Sequence, residues 1–256
     1  IELWPAILPD IQNRYRCCSL SLPGHAPSTT PDSFGSADVT SELFADVVVA
    51  AAEKFFPDQR CHLVGWSTGG FAALAAAAWR PDMVASVTGI SAFARGRWHD
   101  MLGILQWLAA SGWSRPGCRW TIRQLAHFPW ILDRILQRFT GGTPIPDWTA
   151  SSPNDTACVG WKSLHTSIGQ HNPRELTTMM QGIRPLDLTS QLGLVQAPTQ
   201  IISGRRDRIV RHSEAVHLAG AIAGAKLVER PESGHLFFAE ALDEVLPCVF
   251  EWIDAA

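Results

Sequence analysis

Net charge is what this chain has least of. Its 256 residues carry 21 lysines and arginines against 24 aspartates and glutamates, a balance of −3 with neutral histidines. So weak a field gives no reason to expect binding to nucleic acid or to a membrane surface. Metal-type cysteine patterns are lacking too. The six cysteines (Cys17, Cys18, Cys61, Cys118, Cys158 and Cys248) form no C-x-x-C pair, and no His–Cys spacing suggests zinc. Cys17 and Cys18 would point to opposite faces of a strand, which makes them poor partners for each other. The six read as small apolar residues of a reducing compartment, so a cytoplasmic setting is expected. No clean membrane span is present either. The longest charge-free run, Cys61 to Trp79, holds Gly65, Ser67, Thr68, Gly69 and Gly70 in its middle, and these break its apolar surface. No internal repeat occurs, and no low-complexity tract apart from one alanine run. No signal peptide stands at the visible start, where the first residue is Ile1 and not Met.

What is present favours a large buried core. The chain is 46% hydrophobic and 18% charged, which excludes global disorder. Short apolar runs at Arg16–Leu20, Cys61–Gly65, Val84–Ile90, Thr199–Ser203 and Lys226–Val228 read as buried strands. Between most of them lie helical patterns at Ser41–Phe56, Ser213–Ile222 and Leu236–Ile253, each with apolar residues recurring on one face. Strands alternating with helices argue for an α/β fold with a mostly parallel sheet covered on both faces. From about Ala94 to Pro185 no strand is evident. Trp98–Ala110, Trp120–Phe139 and Asp155–Ser167 read as amphipathic helices separated by "SRPG", "GGTPIP" and "HNP". Seven of the eleven tryptophans fall between Trp98 and Trp161. The expected organisation is a core in two parts, 1–93 and 186–256, with a helical cap at 94–185 inserted between them.

The stretch Gly65-Trp66-Ser67-Thr68-Gly69 follows a strand pattern and opens a helical one. It fits G-x-S-x-G, in which a strained turn lifts the serine hydroxyl above the sheet, and the glycines are there because a Cβ would collide with the neighbouring strand or helix. The helix N-terminus behind it favours a developing oxyanion, with the Thr68 N–H as one donor. The bland alternative is a structural turn.

A serine hydroxyl needs a base to take its proton, and the base needs an acid to orient it. "IISGRRDRIV" is a strand ending in a turn that presents Asp207. "ERPESGHLFF" follows the next strand pattern and presents His235, with Gly234 expected to give the backbone freedom there. Each of the two taken alone reads equally well as an ordinary loop residue. Together with Ser67 they follow strand ends in the order Ser, Asp, His, and the C-terminal ends of strands are where open α/β sheets build sites. His62 is expected to pack, and His99, His127, His165 and His171 to be surface or lining residues of the insertion. His212 and His217 read as helix positions.

These residues resemble the α/β-hydrolase superfamily, in its carboxylesterase-like branch with a helical cap. "SLPGHAPST" is similar to that family's D-L-P-G-H-G-x-S turn, with Ser21 in place of the aspartate and Ala26 in place of a glycine. "PTQIISGRRDRIV" and "SGHLFFAEALDEV" resemble its acid and base segments, with Leu242 where the family has proline. Trp66 and the double glycine after Thr68 are similar to pimeloyl-carrier-protein methyl ester esterases. The resemblance implies a strand and an H-G loop before the segment "IELWPAILPDIQNRYR"; the favoured expectation is a longer parent sequence whose N-terminal strands and second oxyanion donor precede Ile1, the alternative a site that lacks half its oxyanion hole. It also implies a carboxylic ester hydrolase without metal or cofactor, acting on a small-molecule ester or acyl substrate.

Within that reading Trp66, Trp98, Leu102, Leu105, Trp107 and Trp113 are candidates for an apolar acyl pocket; the plainer role is to hold the cap onto the core. Arg95, Arg97, Arg115, Arg119, Arg123, Arg134 and Arg138 suit an acidic acyl carrier protein or simply a solvated face. Lactonase, C–C hydrolase, peptidase and cofactor-free lyase or haloperoxidase chemistry remain alternatives on this scaffold, as does a catalytically silent binding module.

Overall fold

The computed structural model describes residues 4, 11–125, 127–145 and 156–256. The segment Ile1–Asp10 (apart from Trp4), the end of "GGTPIP" and Asp155 at the head of a predicted helix lie outside the described residues.

Four strands form one parallel sheet in the order β1 (Cys61–Trp66), β2 (Val84–Ile90), β3 (Thr199–Gly204) and β4 (Lys226–Arg230). Every strand of β2 and β3 faces other chain on both sides: β3 is buried throughout, as a strand covered by helices must be. Because the strands are parallel, their C-terminal ends share one edge, and the loops after β1, β3 and β4 emerge along that edge.

Helix α1 (Ser41–Phe55) starts at Thr40, whose hydroxyl accepts the Leu43 N–H at 3.1 Å, an N-cap that satisfies one orphan donor. Helix α2 (Thr68–Trp79) has almost no polar face, and ten of its residues are buried. A helix apolar all round belongs in the interior, and α2 lies between α1 and the sheet, with Phe71 against Phe44 at 5.5 Å. Its alanines let it approach strands closely. Helix α8 (His212–Ala221) covers β3 and β4, and α9 (Phe237–Glu240) and α10 (Leu242–Ala255) end the chain.

Between β2 and β3 the described residues form α3 (Asp100–Ala110), α4 (Arg115–Leu125), α5 (Pro129–Gln137), α6 (Thr156–Gln170) and α7 (Pro173–Ile183). Leu132, Leu136, Phe139, Trp161 and Leu164 from this stretch join the same buried cluster as Ile201, Ile202 and Leu236.

Several sequence expectations are corrected. Arg16–Leu20 is not a strand; it has no ladder partner among the described residues. The helix expected over Trp120–Phe139 is two helices, starting earlier at Arg115 and interrupted before Pro129, which lacks an N–H and takes the first position of α5. The C-terminal helix is likewise divided, at Ala241. "HNP" is not a separator but a helix start. Asn172 Oδ1 accepts the Arg174 N–H at 2.9 Å, and Pro173 opens α7. His62 is exposed on β1, bonded to Ser86 at 2.8 Å, not packed inside. No helix among the described residues is long and apolar enough to cross a membrane.

Candidate active site

Ser67 sits between the last residue of β1 and the first of α2, with φ 53° and ψ −116°. A non-glycine residue in this left-handed region carries strain of roughly 1–3 kcal/mol. The backbone around it holds the turn: the Ser67 N–H donates to Ile90 O at 2.9 Å, across the end of β2. Two glycines make the turn possible, but they are not both those of the pentapeptide. A Cβ on Gly65 would lie 2.2 Å from Gly69 O, and one on Gly70 would lie 2.5 Å from the Ala92 Cβ. A Cβ on Gly69 would meet nothing within 4 Å. The expected collision at Gly69 is therefore absent, and Gly70 is the crowded partner of Gly65. Thr68, buried, is the first residue of α2. Its N–H lies in the first turn, where helices leave donors without intrahelical partners.

The loop after β3 carries Asp207 and the loop after β4 carries His235; both side chains are buried. Asp207 Oδ1 accepts the N–H groups of Ile209 and Val210, each at 2.9 Å. This fixes the carboxylate from its own loop and leaves Oδ2 for His235 Nδ1 at 2.8 Å. His235 Nε2 then stands 3.1 Å from Ser67 Oγ. Three side chains separated by up to 168 positions in the chain thus form one hydrogen-bonded line. The line is polarised. An imidazole that gains a proton at Nε2 has a buried carboxylate on its other nitrogen, and in a low-dielectric site that attraction is strong.

Residues 1–242 match the family described as alpha/beta hydrolase fold. The chain belongs to that family. A pimeloyl-[acyl-carrier protein] methyl ester esterase of Methylococcus capsulatus is 27% identical over 88% of this chain and 77% of its own length. One of Nitrosomonas europaea is 24% identical over 96% of this chain and 88% of its own. Among solved structures, an esterase from Rhodococcus sp. ECU1013 superposes with a TM-score of 0.75 at 21% identity, covering 99% of this chain and 85% of the other.

In this α/β hydrolase the remaining expected residues separate. Trp66 is at the site: its indole N–H donates to His235 O at 2.9 Å, and its ring lies 5.2 Å from the imidazole. Trp98 packs edge-on to Phe93 at 6.2 Å, and Phe93 in turn contacts Phe71 of α2. Leu102 packs against the same cluster. Trp107 and Trp113 are 49% and 79% exposed, and Trp107 lines an open depression with Arg97, Trp98, His99, Ile104 and Arg184 that contains neither Ser67 nor His235. His165 bonds Asp133, joining α6 to α5, and His212 pairs with Glu229 at 2.7 Å. Among the described residues no group of three or more His, Cys, Asp or Glu is arranged to hold a metal ion.

Two features of the site went unread in the sequence. The Phe139–Gly141 segment reaches the His235 loop, where the His235 N–H donates to Phe139 O at 2.8 Å; no local pattern announces a contact across 96 positions. Glu240 lies in the segment "SGHLFFAEALDEV" that resembles the family's base segment, but that resemblance assigns it no role.

Proposed function

We propose that this chain is a serine hydrolase that cleaves a carboxylic ester through an acyl-enzyme. The observation that carries the reading is the 3.1 Å approach of His235 Nε2 to Ser67 Oγ, with Asp207 bonded to the opposite ring nitrogen. Ser67 Oγ attacks the carbonyl carbon as its proton passes to Nε2. The Asp207 carboxylate holds the ring and stabilises the imidazolium. The carbonyl oxygen, now an oxyanion, accepts the Thr68 N–H at the positive end of α2. Collapse of the tetrahedral species expels the alcohol, which takes the proton from Nε2. A water then gives a proton to Nε2 and attacks the acyl carbon, and Ser67 leaves with that proton as the acid is released. Ester and water become acid and alcohol, and no metal or cofactor enters the sequence.

The names of the curated relatives support an acyl ester as substrate, either a small molecule or an acyl group on a carrier protein. Trp66, Trp98 and Leu102 are the proposed acyl contacts: Trp66 bonds the His235 backbone, Trp98 packs on Phe93 while also lining the depression that holds Trp107, and Leu102 packs against the buried cluster. In this reading residues 94–185 act as the cap over a core formed by 1–93 and 186–256. A cytoplasmic setting is part of the same reading.

A fluorophosphonate probe tests the reading directly. It is expected to label the folded protein once and to leave Ser67→Ala unlabelled, and the labelled protein is expected to lose hydrolysis of p-nitrophenyl esters of short to medium acyl chains. A folded wild-type protein that does not label removes the proposal and leaves the binding-module alternative.

A further inference from the structure

Glu240 closes α9 five residues after His235 and turns back towards it. Its Oε2 accepts two backbone N–H groups, from Gly141 at 2.6 Å and from Gly234 at 2.9 Å. Gly234 immediately precedes His235. Gly141 belongs to the segment whose Phe139 carbonyl accepts the His235 N–H. The loops interlock so closely that neither glycine has room for a side chain: a Cβ on Gly234 would lie 2.4 Å from Phe139 O, and one on Gly141 would lie 1.9 Å from Glu232 O. Arg206, next to Asp207, donates to Gly141 O at 2.8 Å. The end of α5 is thus wedged between the loops that carry the base and the acid, with one carboxylate oxygen as the pin. The other oxygen, Oε1, is buried without a hydrogen-bond partner among the described residues. Leaving it so costs free energy.

We propose that Glu240 is a positioning residue for His235. Through Gly234 and Gly141 it sets the distance of the imidazole from Ser67, and its negative charge adds to that of Asp207 in stabilising the imidazolium. Burial raises the Glu240 carboxyl above its ordinary range and the charge of Asp207 raises it further, while the N–H groups of Gly141, Gly234 and Leu236 act the other way. Glu240 touches no reacting atom in this scheme; it acts through the loop. The inference rests on the serine-hydrolase reading above, deepens it, and couples the helical insertion to the base: a shift of the segment after α5 moves His235.

The test compares wild type with Glu240→Gln, which keeps the shape and a carbonyl acceptor but removes the charge. Steady-state rates on a p-nitrophenyl ester are normalised to sites titrated by the fluorophosphonate. Glu240→Gln is expected to lower kcat by roughly tenfold, a fraction of the 10²–10⁴ that a general base supplies, with KM within about twofold. The acid limb of the kcat/KM profile is expected to move to lower pH, because the imidazolium has lost a stabilising charge. Unchanged kcat per site with an unmoved acid limb overturns the proposal, and so does a fall in melting temperature alone. Should Glu240→Gln fail to fold, Arg206→Gln releases Gly141 from the half-exposed side. Its kcat per site is expected to fall at constant KM, and an unaltered kcat overturns the coupling. A wild type that labels at Ser67 beside an unaffected Glu240→Gln sinks the positioning role alone; a wild type that does not label sinks both.

Discussion

At Ser67 a single residue holds an unfavourable backbone conformation, with φ 53°, and its neighbours decide whether the turn survives. The two crowded glycines and the open one make opposite predictions. Gly70→Ala drives a methyl group into Ala92 and is expected to cost about 1–3 kcal/mol, the usual range for overpacking; Gly65→Ala, which meets backbone, costs at least as much. Gly69→Ala meets open space and replaces glycine by alanine at a helical position, so stability is expected to hold or rise by up to about 1 kcal/mol. Urea unfolding of the three variants checks this, and equal losses at Gly69 and Gly70 would refute it. The acid makes a second prediction at this scale. Asp207→Asn retains an acceptor but offers an amide to His235 Nδ1, which favours the wrong tautomer. If the proposed mechanism holds, kcat falls by about 10³–10⁴ with the fold intact, read from initial rates and circular dichroism.

At the scale of elements, the loop Leu22–Pro27 meets the C-terminus of α6 through two histidines. His25 Nδ1 lies 3.1 Å from Pro23 O, and the His25 ring stands edge-on to His171 at 5.8 Å. Burial, with the nearby His171, lowers the His25 pKa from 6.5 to about 4, and burial also lowers that of His171. The folded state thus favours neutral rings. The unfolded chain binds more protons between the two pKa values, so stability rises with pH there. The contribution is fully present above about pH 6.5 and is lost as pH falls towards about 4. Its ceiling for His25 is about 3 kcal/mol, reduced by the part of the ring that water still reaches. Unfolding free energies at pH 7.5 and 5 are expected to differ less in His25→Gln than in wild type, and equal differences would remove the explanation.

The elements were also where local signals competed. Val84–Ile90 is readable to its ends because its small and β-branched residues suit a strand covered on both faces, and nearly all of them are buried. The helix that Asn172 caps is hard to read locally, because its cap and proline look like a turn when the helix that follows is not in view. Arg16–Leu20 has the composition of a strand, but composition does not supply a partner, and a strand exists only in a ladder.

At the scale of the molecule, the insertion and the core share one buried cluster. Trp161 of α6 is among the largest fully buried side chains, and the neighbouring Gly160 backs onto Phe238 of α9, whose ring would lie 3.1 Å from a Cβ there. Truncating Trp161 to alanine is expected to cost about 3–5 kcal/mol. Because the cluster is continuous, tryptophan fluorescence and far-ultraviolet circular dichroism are expected to shift together to lower denaturant. Two separated transitions would mean that the insertion unfolds by itself.

The residues alone settle only what is local: which runs are buried, which turn puts a serine between a strand and an interior helix, and which strand ends are followed by an aspartate and a histidine. These are legible because hydrophobic period and glycine placement act over a few residues. Packing sets the 2.8 Å and 3.1 Å contacts that join Asp207, His235 and Ser67, the exchange of roles between Gly69 and Gly70, and the carboxylate of Glu240 beneath the histidine loop. Each depends on how closely separate strands and loops approach after packing. Distances of that kind are set by the sheet and its covering helices together, and no stretch of chain carries them alone.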